Sequence, residues 1–396
     1  MATPSSAPPT ELPFCVGMDV HQKTTTMAIL DPGGKLLEKG TIPTSLKALD
    51  AWHRHLTELT GSHPTLLGLE ASTAGQAVFR HLRQLGRDVH MAHPRKLKDL
   101  LGETKTDKND ALALATVLRL GSFPEVYVPA DDIISLRTLV RLREEVVDKL
   151  RRCKVQVRPL LVKNHLYHEA AKYEDIFGEQ ALRWLKATEL ADEWDQKQLA
   201  LLLEEGELHT RQVHALTTEL AKVGVRTDEV RLLQSIPGID YVLALCIIAE
   251  VGDIRRFRNR KKFAAYCGLV PKNHDSGERT AKHAPLRHGN PRLKWALSMA
   301  VSVIRHSRKG KFYVQLKRFE ARVGMAKAMS AVAHRLAFTI YGLWKMRHLY
   351  EEVPLSRYAT KRRGMQRRSE EASEIPAIHP TIDRLIRTSR NAGAVS

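Results

Sequence analysis

Four acidic residues of this 396-residue chain stand where they can do chemistry. Asp19 closes an apolar run, FCVGMDV, and Glu70 closes another, LLGLE, so each puts a carboxylate where a buried strand meets solvent. Asp107 and Asp110 in TDKND open the apolar stretch ALALATVLRL, and a spacing of three sets them on one helical face. Singly, each has an ordinary explanation, as a solvated strand end or a helix cap. Together they are hard oxygen donors converging on one sheet edge, and close carboxylates repel one another unless cations sit among them. Two Mg²⁺ ions held in this way stabilise the attacking and leaving oxygens of a phosphodiester displacement.

The elements that hold these residues follow from the hydrophobic pattern. Residues 14–30 read as two strands joined by a short turn at His21 to Lys23, and a third strand, 35–42, follows the turn Asp31-Pro-Gly-Gly34. A helix over 45–59, a strand over 65–69, a helix after Ala74, a strand over 89–92 and a helix over 106–120 come next. A meander followed by alternating helices and strands indicates an α/β unit with a mixed sheet.

From 131 to about 225 the pattern changes. Ile133, Val140 and Val147 repeat every seven residues, as do Leu136, Leu150 and Val157 with Arg143 and Lys154 interrupting, which predicts long helices pairing as a coiled coil, a spacer or oligomerisation arm, and a dimer at least. The segment LLQSIPGIDYVLALCII, from Leu232, joins two apolar helical stretches at Pro237-Gly238-Ile239. It reads either as a helix-hairpin-helix whose turn amides hold a backbone phosphate or as an ordinary αα-hairpin in the core. Asn290-Pro291 signals a capped helix start.

Charge places the partner. The net charge is +19, of which residues 255–325 contribute +16 and 326–396 contribute +7, while 1–130 is nearly neutral and 131–254 is net acidic. So one-signed a block needs a polyanion, and apolar residues interleaved with the cations make it a folded nucleic-acid surface. No apolar run approaches the roughly 18 residues of a membrane span, which excludes an integral membrane protein. Residues 1–13 read as a disordered leader rather than a signal peptide, and the expected location is the cytoplasm. Cys15, Cys153, Cys246 and Cys267 lack metal-site spacing and read as reduced core or surface thiols.

The blocks GMDVHQKT, LLGLEAS and KTDKNDALALA resemble those of a RuvC-like, DEDD-type insertion-sequence transposase of the IS110 family. The stretch FAAYCGLVPKNHDSGERTAKHAPLRHGNPRLKWAL is similar to that family's second conserved region, where a serine is required. The resemblance covers about residues 16–349. It implies an α/β RNase-H-like (RuvC-like) domain over 14–130, a helical coiled-coil arm over 131–228, a mainly α transposase domain over 229–350 and a basic flexible tail over 351–396. It implies Asp19, Glu70, Asp107 and Asp110 as catalytic metal ligands for Mg²⁺, two ions, and Ser276 as the nucleophile that forms a phosphoserine link to DNA. Arg279, Lys282, Arg287 and Arg292 follow Ser276 closely enough to cradle a scissile phosphate, and Lys261 and Lys262 join them as nucleic-acid contacts. Lys282 to Leu286 departs from the family's usual glycine-containing run, and Glu278 stands where a second glycine is usual. His274, His283 and His288 read as surface histidines near phosphates.

The resemblance also implies donor and target DNA as substrates, a non-coding bridge RNA as guide, a homodimer or homotetramer, and association with a prokaryotic nucleoid. Two other classes fit the same residues. A metal-dependent junction-resolvase-like nuclease would leave hydrolysed ends and no protein adduct. A nonenzymatic nucleic-acid scaffold would have no cleavage to lose on Asp19→Ala.

Overall fold

The computed structural model describes residues 12–101, 110–270, 289–350 and 355–371. Asp107, Ser276, Arg279, Lys282 and Arg287 lie outside the described residues, as do the histidines at 274, 283 and 288, most of the leader and the end of the tail. The chain divides into two compact units, Met1–Val128 and Pro129–Ser396.

In the first unit, strands β1 (Phe14–Val20), β2 (Thr24–Leu30) and β3 (Leu36–Pro43) form the meander. Helix α1 (Leu46–Thr60), strand β4 (Thr65–Glu70), helix α2 (Thr73–Gln84), strand β5 (Asp88–Ala92), helix α3 (Pro94–Leu101) and helix α4 (Asp110–Arg119) follow. The sheet order is β3-β2-β1-β4-β5, with β4 parallel to both β1 and β5. Ser45 and Ser72 start α1 and α2 by accepting the Ala48 and Gly75 N–H groups at 3.3 and 2.9 Å. Strand alternation then sorts the core. Val16, Met18, Leu67 and Leu69 face one side and pack with Trp52 of α1 and Phe79 of α2. Cys15 and Leu66 face the other and pack on Ala115 and Leu118 of α4. Helix α3 is the one element here that the hydrophobic pattern did not announce; its short, charge-rich PRKLKDLL carries little periodic signal and buries only Leu97.

The second unit is helical among its described residues. Helices α5 (Asp131–Lys163) and α8 (Glu193–Val225) flank the short α6 (Tyr167–Ala170) and α7 (Glu179–Ala187). They run antiparallel: Arg143 meets Thr217 at 2.8 Å, Cys153 meets Glu205 at 3.7 Å and Lys163 meets Asp195 at 2.8 Å. Leu136, Val140 and Val157 of the heptads are buried, and Ile133, Val147 and Leu150 are half-buried. The seam of α5 is filled by α8 of the same chain, so the long helices make an intrachain hairpin.

Helices α9 (Asp228–Gln234), α10 (Tyr241–Val251), α11 (Arg260–Tyr266), α12 (Pro291–Ser307), α13 (Lys311–Val323), α14 (Met325–Met346) and α15 (Leu355–Glu370) complete this unit, with a 3₁₀ turn at Ile254–Arg256. Its core runs from Leu136 of α5 through α10, α12 and α14 to Met365 of α15. Helix α10 is apolar nearly all round because it is surrounded nearly all round. The Pro237-Gly238 turn is an αα-hairpin with Ile236 and Ile239 fully buried. Asp240 Oδ1 accepts the Leu243 N–H at 2.8 Å, so a carboxylate already fills the start of α10, and Lys361 Nζ donates to the Gln234, Ile236 and Ile239 carbonyls.

Among the described residues no helix is long and apolar enough to cross a membrane. All four cysteines are free and buried, the core alternative of the two foreseen. Burial pushes the Cys267 thiol up to about 12 and raises those of Cys15, Cys153 and Cys246, so they stay protonated and unreactive near neutral pH.

Candidate active site

Asp19 and Glu70 come together through strand register. Parallel strands β1 and β4 pair Met18 with Leu69, so Asp19 and Glu70 occupy the next level at adjacent strand ends. Both share the parity of Gly17 and Gly68, which is the face that α4 covers. Helix α4 crosses β1 in close contact at Gly17, where a Cβ would overlap the Ala111 carbonyl and the Ala115 N–H and lie 2.9 Å from Leu114 Cβ. Further along, α4 reaches Cys15 with Ala115 and Leu118. Its first residue, Asp110, therefore lies toward the sheet end where Asp19 and Glu70 emerge.

Three of the four predicted carboxylates thus share one face at one end of the sheet, each from a different element. Asp19 is 20% exposed at its side chain, and its Oδ2 lies 3.1 Å from Nε2 of the exposed His21. Glu70 and Asp110 are half-buried. A carboxylate in the first turn of α4 is favoured by the helix dipole. The donors are hard anionic oxygens, suited to a divalent cation of the Mg²⁺ type. Among the described residues no group of three His, Cys, Asp or Glu is close enough to hold a metal unaided, and Asp107 lies outside them. His21, two positions after Asp19, was not among the predicted site residues.

In the second unit, Lys261 and Lys262 lie exposed on α11, which Asn259 caps through the Lys262 N–H at 3.0 Å. Arg292 stands in the first turn of α12, and its Nε donates to Glu144 Oε2 at 2.8 Å, a bond that raises the guanidinium above its ordinary range. Asn290 caps α12 through the Arg292 and Leu293 N–H groups, with Pro291 at the first position as the sequence predicts. Residues 271–288, which include Ser276, leave from Val270 and return at Gly289.

That root is tight. Gly289 has φ +111°, and a Cβ there would be driven into the Gly268 backbone and lie 3.0 Å from the Ala265 carbonyl. Gly289→Ala is expected to lower the stability of the full chain by at least about 2 kcal/mol, since forbidden φ and overpacking add. Urea unfolding followed by circular dichroism measures it, and a change within about 0.5 kcal/mol, the size of an ordinary surface substitution, contradicts the close approach. The hydrophobic pattern did not single out Glu144 and Glu250, the acids on which this root is hung. A lone glutamate in the apolar run LALCIIAEV was the available signal.

Comparison with known proteins finds family matches in two stretches of the chain. A DEDD transposase family model, described as Transposase, matches residues 16–165. A second model, described as Transposase IS116/IS110/IS902 family, matches residues 230–315. A protein of Sinorhizobium fredii named as a transposase, y4qE, is 27% identical over 286 residues, 71% of this chain and 69% of its own. The transposase for insertion sequence element IS1111A of Coxiella burnetii is 24% identical over 340 residues, 85% of this chain and 90% of its own. The pilin gene-inverting protein of Moraxella lacunata is 26% identical over 249 residues, 61% of this chain and 66% of its own.

Proposed function

The chain belongs to the IS116/IS110/IS902 family of transposases and is an enzyme that recombines DNA, and from that premise we propose that it cuts and rejoins strands through a serine nucleophile assisted by a carboxylate-held metal. The observation that carries this reading is that Asp19 and Glu70 stand at adjacent strand ends on the sheet face covered by α4, the helix that Asp110 opens. The strand order, three antiparallel strands followed by two parallel ones, supports an RNase-H-like unit.

Asp19, Glu70 and Asp110, with Asp107, would hold Mg²⁺, two ions in this reading. When bound, the metal supplies Lewis-acid stabilisation of charge on the phosphate and its leaving oxygen. In the chemical step Ser276 Oγ attacks phosphorus. The phosphoserine bond forms, the bond from phosphorus to the leaving deoxyribose oxygen breaks, and the serine proton ends on that oxygen. The link conserves the energy of the diester, so the hydroxyl of the incoming strand reverses the exchange and frees Ser276. Inverting a gene segment requires rejoined ends, and one relative bears that name. Lys261, Lys262, Arg279, Lys282, Arg287 and Arg292 hold backbone phosphates, and such contacts carry affinity rather than sequence choice. A structured bridge RNA pairing with donor and target DNA would supply that choice, with two or four copies of the chain bringing the DNA ends together.

The test is a nicked donor substrate that traps the intermediate. Wild type with Mg²⁺ and the element's non-coding RNA is expected to give a protein–DNA adduct that survives denaturant, and Ser276→Ala under the same conditions to give none while still binding DNA. Cleavage by Ser276→Ala with hydrolysed ends would establish the nuclease alternative, and no cleavage by wild type would establish the scaffold.

A further inference from the structure

Glu250 is the single charged residue of α10 and is 2% exposed in the core of the second unit. Both its oxygens are used. Oε1 accepts from Arg141 Nε and Nη2 at 3.1 and 2.9 Å, and Oε2 accepts from Asn290 Nδ2 at 2.7 Å. Asn290 is committed from its other side, because Oδ1 accepts the Arg292 and Leu293 N–H groups at 3.0 and 3.2 Å, so its amide cannot turn round without uncapping α12. Tyr266 ties in the end of α11: its hydroxyl donates to the Glu250 carbonyl at 3.2 Å, and its own carbonyl accepts the Asn290 N–H at 2.7 Å. Arg292 Nε closes the ring on Glu144, three residues beyond Arg141 on α5.

A buried ion pair of this kind contributes little stability that apolar packing could not match, but its directional bonds fix geometry that apolar contact leaves free to slide. Here the bonds converge on the two ends of the segment 271–288. We propose that Glu250 is a positioning residue for the recombination reaction: through Asn290 and Tyr266 it clamps the root from which the Ser276 segment springs, and so sets where the hydroxyl meets the phosphate. The clamp itself rests on described residues, and its role in the reaction rests on the Ser276 reading.

A donor–acceptor swap tests it in the full-length protein. In Glu250→Gln one amide face must oppose either Asn290 Nδ2 or Arg141, and in Asn290→Asp two carboxylates oppose each other. In the double variant the amide introduced at 250 donates to the carboxylate introduced at 290, the amide oxygen still accepts from Arg141, and the new carboxylate still caps α12. Each single variant is expected to lower the strand-joining rate about 100-fold at unchanged DNA affinity, the scale of an ångström-sized misplacement. Each is also expected to speed amide exchange at 290, 292 and 293 about tenfold. The double variant should restore both. Singles that match wild type, or a double no better than the singles, overturn the clamp. Should Glu250→Gln not fold, Asn290→Ser, which keeps a cap but drops the bond to Glu250, reads the same two quantities, and wild-type values of both overturn the clamp equally. If Ser276→Ala joins strands normally while the exchange pattern holds, the serine reading fails and the clamp stands as a structural tie only.

Discussion

Asp19→Asn is expected to abolish DNA strand cleavage, by at least about a thousandfold, with the fold and DNA binding intact, because a carboxylate that holds a catalytic metal is worth several kcal/mol of transition-state stabilisation. Asparagine is the same size as aspartate, and Asp19 stands at a strand end with one-fifth of its side chain in water, so packing is undisturbed. Its partner Thr26 on β2 is held through main-chain register, which the substitution does not touch. Removing a negative charge does not weaken the hold on phosphates, so affinity for donor DNA should equal or exceed that of wild type. Lowered affinity with retained chemistry would assign Asp19 to binding instead. Asp88→Asn is the matched control, since it makes the same charge change at the opposite end of the sheet, where β5 begins with an exposed side chain. Cleavage by Asp19→Asn within about tenfold of Asp88→Asn, roughly 1.4 kcal/mol, would remove Asp19 from the chemistry.

A single methyl group at Gly17 is expected to be the most destructive small substitution in the first unit. The added Cβ would overlap the Ala111 carbonyl oxygen and the Ala115 amide nitrogen of α4. Both are backbone atoms bonded within their helix, so neither can swing aside as a flexible side chain does; relief requires lifting α4 from the sheet. That strips cover from Cys15 and Leu30, which α4 buries with Ala115 and Leu118. Gly17→Ala should cost about 3 kcal/mol or more, the upper range of overpacking. Gly40→Ala on β3 meets nothing within 4 Å and should be neutral or stabilising by up to about 1 kcal/mol, since alanine restricts the unfolded chain more than glycine does. Thermal unfolding of the two variants side by side decides the matter. Equal melting temperatures would mean that α4 does not lie on Gly17. In whatever fraction of Gly17→Ala folds, cleavage should fall further than stability explains, because Asp110 travels with α4.

Much of this was written in local pattern. Alternation along FCVGMDV and TLLGLE already puts Asp19 and Glu70 on the faces opposite Met18 and Leu69, because the period of a strand is two. Asn290-Pro291 announces the start of α12, since the cap and the fixed proline φ act within one turn. The apolar sequence of α10 announces burial. Short charged α3 escaped because it has almost no periodic signal.

What the sequence alone determined, then, is which surfaces are sticky and which residues end up at element ends, since propensity, period and capping act over a few residues. The addresses came from packing between segments far apart in the chain. A heptad stripe on α5 asks for a helix but does not say whose, and the hairpin answered it with α8 of the same chain. Nothing in the sequence around Arg292 announces that folding brings Glu144, 148 positions away, to its Nε. Glu250 meets Arg141 from 109 positions away and Asn290 from 40, and no local rule joins residues at such separations. Those pairings exist because a carboxylate enclosed in a core must find donors wherever packing presents them.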